Sequence, residues 1–226
     1  MMQEISHELM EMLNCETAFT IGGIPIAEST VITWLIMVVM VIGSILLTRG
    51  FTVENPGKRQ VIVESIVTSL QNLLKGSLGE EGEKYTSYLV TVLIYLGLAN
   101  TVGLFGMKPP TKDLNVTAGL SIMSIILVEY AAIHARGVKG WMKKFSEPIA
   151  LIAPINILEL LIKPISLCMR LFGNILGAFT VMELLKICVP VGLPVPFCLY
   201  FDIFDGLLQA FIFVFLTSLF INEAIE

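Results

Sequence analysis

Seven charged side chains, Glu159, Lys163, Arg170, Glu183, Lys186, Asp202 and Asp205, interrupt a strongly apolar run between Pro148 and Asn222. At the centre of a bilayer each costs about 2.5 to 3.5 kcal/mol even on a lenient insertion scale, so together they imply a protein-facing or water-lined setting. They mark either an ion path or a set of internal pairs. Other chemistries find little support: the two histidines, His7 and His134, form no HExxH pair, and no GxxxxGK[ST] phosphate loop is present. A metalloenzyme is therefore disfavoured, and no cofactor is expected.

Placing side chains at about 100° per residue puts Glu159, Lys163, Ser166, Arg170, Asn174 and Gly177 on one stripe, flanked by Gly173. Glu159 and Lys163 stand in the favourable i, i+4 order and suit a structural pair. That leaves Arg170 without a partner on its own helix. Gly173 and Gly177 form a GxxxG, which lets another helix approach the backbone closely. Glu183 falls roughly 140° from Arg170, with Lys186 beside it, and Asp202, Asp205 and Gln209 form a second stripe about 60° wide. Two readings remain open: Arg170 pairs with Asp202 or Asp205 as a buried structural pair, or it is a fixed cation that meets a carboxylate on a partner helix while the separate acids load and unload the ion. Asn174 and Gln209 also suit interhelical hydrogen bonding.

The elements that must position these residues follow from composition. The chain has 226 residues, 55% hydrophobic and 15% charged, and its mean hydropathy is +0.84. Soluble domains carry about 25% charged residues, so this is an integral membrane protein. A net charge of −5 argues against a nucleic-acid partner. Cys15, Cys168, Cys188 and Cys198 lack metal spacing and read as free packing thiols.

One membrane domain over residues 1–226 is expected, of the all-α polytopic class. Residues 29–48 and 85–107 are uncharged spans, and 114–135 is a third, with Glu129 and His134 near its end. Glu129 suits either a buried pair or a lining group, and His134 an interfacial position. Residues 57–84 space Ile62, Val63, Ile66, Val67, Leu70, Leu73 and Leu74 as an amphipathic interfacial helix would, with packing inside a bundle as the alternative. Residues 136–155 form a loop. Residues 156–188 and 196–223 exceed the membrane thickness as helices, so they must tilt, kink at Pro164 or lie partly in the membrane plane. Pro190, Gly192, Pro194 and Pro196 turn the chain between them, giving a C-terminal hairpin of two long, strongly tilted helices. Residues 1–28 contain no Lys or Arg and carry Glu4, Glu8, Glu11, Glu16 and Glu28, unlike a secretory signal. Basic residues concentrate in 49–84 and 136–144, which makes those segments cytoplasmic and the N-terminus external, with the C-terminus cytoplasmic.

The runs Pro154-Ile-Asn-Ile-Leu-Glu159, Lys163-Pro-Ile-Ser166 and Arg170-Leu-Phe-Gly-Asn174 resemble the core of subunit a of F-type ATP synthases. Pro110-Thr-Lys-Asp113-Leu-Asn115-Val-Thr117 and Leu208-Gln209-Ala-Phe-Ile-Phe213 with Leu216-Thr217 agree, in order, over about half of the chain. The resemblance implies a stationary membrane subunit beside a rotating ring of c subunits, with a b-subunit peripheral stalk, other ATP synthase subunits and membrane lipid as partners. It implies two half-channels for H⁺ or Na⁺, no catalysis by this chain, and a bacterial plasma membrane.

It also implies that Arg170 is the family's essential arginine, which favours the ionised form of the ring carboxylate and blocks leakage between the half-channels. Where many relatives carry Glu or His, nine residues after the arginine, this chain has Phe179. Glu183, one turn further on, is the expected substitute. Asp202 stands seven residues before Gln209, where other members have His or Glu, and Glu183, Asp202 and Asp205 are the expected channel acids. A secondary transporter with a midplane site is the competing reading, although no duplicated half is evident.

Overall fold

The computed structural model describes residues 17–21, 24–53, 56–144, 153–189, 192 and 194–225. Expectations placed on Glu4, His7, Cys15, Pro148 and Pro190 fall outside these residues. The chain opens with an antiparallel hairpin, β1 (Thr17–Ile21) and β2 (Ile24–Ala27), inside what the sequence suggests is a plain N-terminal segment. Helices follow: α1 (Glu28–Thr48), α2 (Lys58–Gly82), α3 (Thr86–Thr101), α4 (Leu114–Lys144), α5 (Ala153–Cys188), the short α6 (Pro194–Cys198), a π-helical segment Leu199–Asp205, and α7 (Gly206–Ile225). Among the described residues, five stretches are long and apolar enough to cross a membrane, and the fold is an all-α polytopic one.

Helix α7 is the centre of the bundle, packed against α2, α3 and α4. Its buried residues Ala210, Phe213, Val214, Thr217, Ser218, Ile221 and Ala224 recur every three or four positions, so one continuous stripe faces the core. Leu74 and Leu78 of α2, Leu89 and Leu96 of α3, and Val128, Ala131 and Ala132 of α4 fill the other side. Two buried hydroxyls of α7 return to their own helix: Thr217 Oγ1 donates to the Phe213 carbonyl at 2.8 Å, and Ser218 Oγ to the Phe215 carbonyl at 2.6 Å. Without water in the bilayer such internal bonds are the available way to satisfy them. Helix α1, by contrast, buries only Ile32 and Ile36 and turns Leu35, Val38, Val39, Ile42 and Leu46 outward.

The sequence-based boundaries need three adjustments. The third span runs on to Lys144, across a break at Gly137 (φ +70°), so part of the expected loop 136–155 is helical. Helix α5 continues through Pro164 over 36 residues, about 54 Å at 1.5 Å per residue, beyond the thickness of the hydrocarbon core. The second arm of the hairpin is not a single α-helix, because Leu199–Asp205 is π-helical. As for α2, Leu74 and Leu78 in its second half pack into the bundle, while Val61, Ile62 and Ile66 in its first half stay exposed.

Two sets of contacts define the ends of the bundle. At one, Ser29 Oγ donates to Asp113 Oδ2 at 2.5 Å, Asp113 Oδ1 caps α4 by accepting from the Asn115 N–H at 2.9 Å, and Lys108 pairs with Glu28 at 3.6 Å. At the other, Lys163 bridges Glu159 at 2.9 Å and Glu223 at 3.2 Å, and Arg136 Nε donates to the Ile225 carbonyl at 3.3 Å. The expected Glu159–Lys163 pair is thus formed, and it extends across to α7.

Gly79 sits at this second end with φ +68°, and a Cβ there would lie 2.7 Å from Asn222 Oδ1. Gly79→Ala is expected to cost about 1 to 3 kcal/mol for the backbone alone, because φ +68° with ψ 177° is a conformation essentially confined to glycine, and to lower the melting temperature in detergent by several degrees. Gly76→Ala, which meets nothing within 4 Å, serves as the control and leaves the melting temperature unchanged or raised.

Candidate functional site

Helix α5 presents two faces. Leu167, Cys168, Leu171, Ile175 and Met182 are buried against the bundle, while Ser166, Arg170, Gly173, Asn174 and Gly177 are exposed on the outside. The polar stripe read from the sequence is therefore the outward face of the helix. None of the ion pairs or hydrogen bonds among the described residues involves Arg170. A structural pair of Arg170 with Asp202 or Asp205 is accordingly not formed. On the core side, Gln209 shares a small recess with Arg170, Leu167, Leu171 and Phe213. Gln209 is only 7% exposed and its Nε2 donates to Asp205 Oδ1 at 3.4 Å.

The acids gather elsewhere. At the end of the bundle marked by Ser29 and Asp113, a cavity of about 250 Å³ is enclosed by α5, the π segment and the chain between Asn100 and Pro109. It holds Phe179, Glu183, Lys186, Cys198 and Asp202. Glu183 Oε1 pairs with Lys186 Nζ at 2.8 Å, and the Cys198 thiol donates to Asp202 Oδ2 at 2.8 Å. Phe179 and Glu183 do share one direction, as their spacing suggested, and Asp202 joins them from the other arm of the hairpin.

Two expectations change. Asp202 and Asp205 do not act as one stripe: Asp202 lines the cavity, whereas Asp205 bonds to Gln209 and is not among the lining residues. The cause is the π-helix, whose wider turn breaks the 100° phase assumed over this segment. Cys198 is not an inert packing thiol, since it faces a polar cavity and bonds a carboxylate. Cys168, buried 3.6 Å from Thr117 Oγ1, does fit that description.

Other residues of the site escape a reading of the sequence. Asn100, buried on α3, donates from Nδ2 to the Gly206 carbonyl at 2.8 Å and accepts from Thr111 Oγ1 at 2.8 Å, which ties α3 to the start of α7 and to the loop before α4. Lys112 is 7% exposed, and its Nζ stands 4.2 Å from the centre of the Phe179 ring. A cation is thus held on an aromatic face beside the cavity. Gly103 lies against the Asp202 carboxylate. Lys112 falls inside a motif legible in the sequence, but Asn100 and Gly103 carry no local signal.

The remaining candidates lie apart. Glu129 Oε2 accepts from Trp141 Nε1 at 2.6 Å, an internal pair, and His134 stacks on Tyr130 with ring centres 6.1 Å apart. A larger cavity of about 530 Å³ between α1, α3 and α4 is lined mainly by Met37, Met40, Tyr88, Val92, Leu120 and Met123, without a charged side chain. Among the described residues no three His, Cys, Asp or Glu side chains converge as a metal site would require.

Comparison with known proteins gives the family of the chain. Residues 30–222 match the family described as ATP synthase A chain. The chain is 36% identical to ATP synthase subunit a of Moorella thermoacetica over 209 residues, covering 92% of this chain and 95% of that protein. It is 34% identical to ATP synthase subunit a 1 of Hahella chejuensis, covering 91% and 87%. It is 31% identical to the sodium ion specific ATP synthase subunit a of Propionigenium modestum, covering 93% and 78%.

Proposed function

Because the chain belongs to the ATP synthase A chain family, and is a non-catalytic, multi-pass subunit of the membrane sector, we propose that it is the stator that passes H⁺ or Na⁺ to and from a rotating ring of c subunits. The observation that carries this reading is the separation of charges: an unpaired Arg170 on an exposed, glycine-smoothed face of α5, with Glu183 and Asp202 in a distinct cavity near one end. A structural set of buried pairs would have placed the acids on the arginine.

In this mechanism Gly173 and Gly177 let a ring helix approach the face that carries Arg170 and Asn174. A ring carboxylate arriving there meets a fixed guanidinium that favours its ionised form, so it releases its ion. The same cation repels any ion passing straight between the two paths. Glu183 and Asp202 line the path that opens at the cavity, and Gln209, bonded to Asp205, faces the arginine from the core side. Glu159 and Lys163, with Glu223, lie at the opposite end, about 16 Å and 10 Å respectively along α5 from Arg170 at 1.5 Å per residue, where the second path leaves.

The subunit is held against the ring by the b-subunit peripheral stalk and works in a bacterial plasma membrane, surrounded by lipid and the other synthase subunits. The basic segments support an external N-terminus and a cytoplasmic C-terminus, so the cavity opens outward.

A cross-linking experiment tests the facing surface. In the assembled complex with the four native cysteines replaced, Asn174→Cys is expected to form a disulfide with a cysteine placed next to the ring carboxylate. Leu171→Cys, on the buried side of α5, is expected to form none. Equal cross-linking from both positions would show that the exposed stripe is not the ring-facing surface.

A further inference from the structure

Resting on the assignment of Asp202 to the ion path, we propose that Gly103 and Cys198 are positioning residues that seat the Asp202 carboxylate in the cavity. Each touches a different part of that group. Cys198 precedes Asp202 by four residues, where α6 passes into the π segment, and its thiol donates to Oδ2 at 2.8 Å. Gly103 belongs to the turn after α3, almost a hundred residues away in sequence, and its missing side chain leaves the room that the carboxylate fills. A Cβ on Gly103 would lie 2.9 Å from Oδ1, 3.0 Å from Cγ and 3.1 Å from Oδ2.

The backbone at Gly103 has no need of glycine for its own conformation, since its φ is not positive. The constraint there is the carboxylate itself. The seat also matters because of what surrounds it. Lys186 and Lys108 line the same cavity and would draw a freely rotating carboxylate toward the mouth, while Glu183 is already engaged by Lys186. With the thiol on one oxygen and the glycine backbone against the group, Asp202 keeps one orientation. For a group that hands on an ion, displacement by about 1 Å can cost about a hundredfold in transfer rate.

The added methyl of Gly103→Ala meets only the far end of a side chain, so the fold tolerates it and the carboxylate moves. The test uses the whole synthase in sealed vesicles, with Cys15, Cys168 and Cys188 replaced by alanine so that Cys198 is this chain's single thiol. A small methanethiosulfonate is applied and Cys198 labelling is timed. Gly103→Ala and Asp202→Ala are each expected to speed labelling about threefold, because thiol reactivity follows access and the carboxylate no longer covers the sulfur. The double variant is expected to label no faster than either single one.

Uptake of the coupling ion by Gly103→Ala is expected to fall about tenfold or more. An unchanged labelling rate in Gly103→Ala overturns the seat, as does a double variant in which the two effects multiply. Normal uptake in Gly103→Ala despite faster labelling removes the positioning role. Normal uptake in Asp202→Ala instead removes the ion-path assignment on which the proposal rests, a result distinct from the other three.

Discussion

Arg170→Ala is expected to abolish ATP-driven ion uptake into vesicles while the synthase still assembles. Because Arg170 makes no ion pair or hydrogen bond among the described residues and lies exposed, its loss removes no such bond from the bundle. In the proposed mechanism it removes instead the partner of the ring carboxylate. Two unit charges 4 Å apart interact by about 4 kcal/mol at an effective dielectric of 20, equivalent to roughly a thousandfold in an equilibrium constant. Without that term the carboxylate keeps its ion as it passes, and rotation is no longer coupled to transport. Arg170→Lys is expected to restore little, since an ammonium on a flexible stem loses its proton on burial far more readily and lacks the planar fork of donors. Uptake is followed by quenching of a pH-sensitive dye or by Na⁺ tracer, with and without a protonophore, and assembly by recovery of the complete complex. Normal pumping by Arg170→Ala would sink the proposed mechanism.

The second large effect is expected at the cavity. Glu183→Gln combined with Asp202→Asn is expected to lower coupled uptake by about a hundredfold, the smaller end of what a positioned proton-transfer group contributes. The neutral amides keep the shape of the cavity and remove only the exchangeable charge. Asp205→Asn is expected to lose much less, because Asp205 does not line the cavity and its bond to Gln209 Nε2 survives through the amide oxygen. The two variants are compared with the wild type in vesicles with equal amounts of assembled complex. If Asp205→Asn is as damaging as the double substitution, the ion path follows the π segment toward Gln209 rather than the cavity.

Much of the architecture follows from local rules, and these were readable in the sequence. Uncharged apolar runs of about twenty residues demand spans because an unsatisfied backbone cannot stand in lipid. The exposed stripe of Ser166, Arg170, Asn174 and Gly177 follows from the 3.6-residue turn, which α5 keeps throughout. The Glu159–Lys163 pair is likewise a matter of i, i+4 spacing, whereas its extension to Glu223 is not.

What tertiary structure alone decides is which of the remaining polar groups meet. The π-helix at Leu199–Asp205 puts more residues into each turn than an α-helix, so Asp202 and Asp205 part company although an α-helical count keeps them together. Asn100 reaches Gly206, Gly103 gives way to Asp202, and Lys112 covers Phe179 across separations of about 70 to 106 residues. No periodicity spans such distances. That this is a membrane protein, where its helices run and on which face Arg170 stands are all legible from the residues in order, because those depend on hydration of the backbone and on the pitch of one helix. Whether the arginine was paired, and which acid entered the cavity, was decided only when α5, the turn after α3 and the π segment packed together, because only packing brings groups from distant parts of the chain within a hydrogen bond of one another.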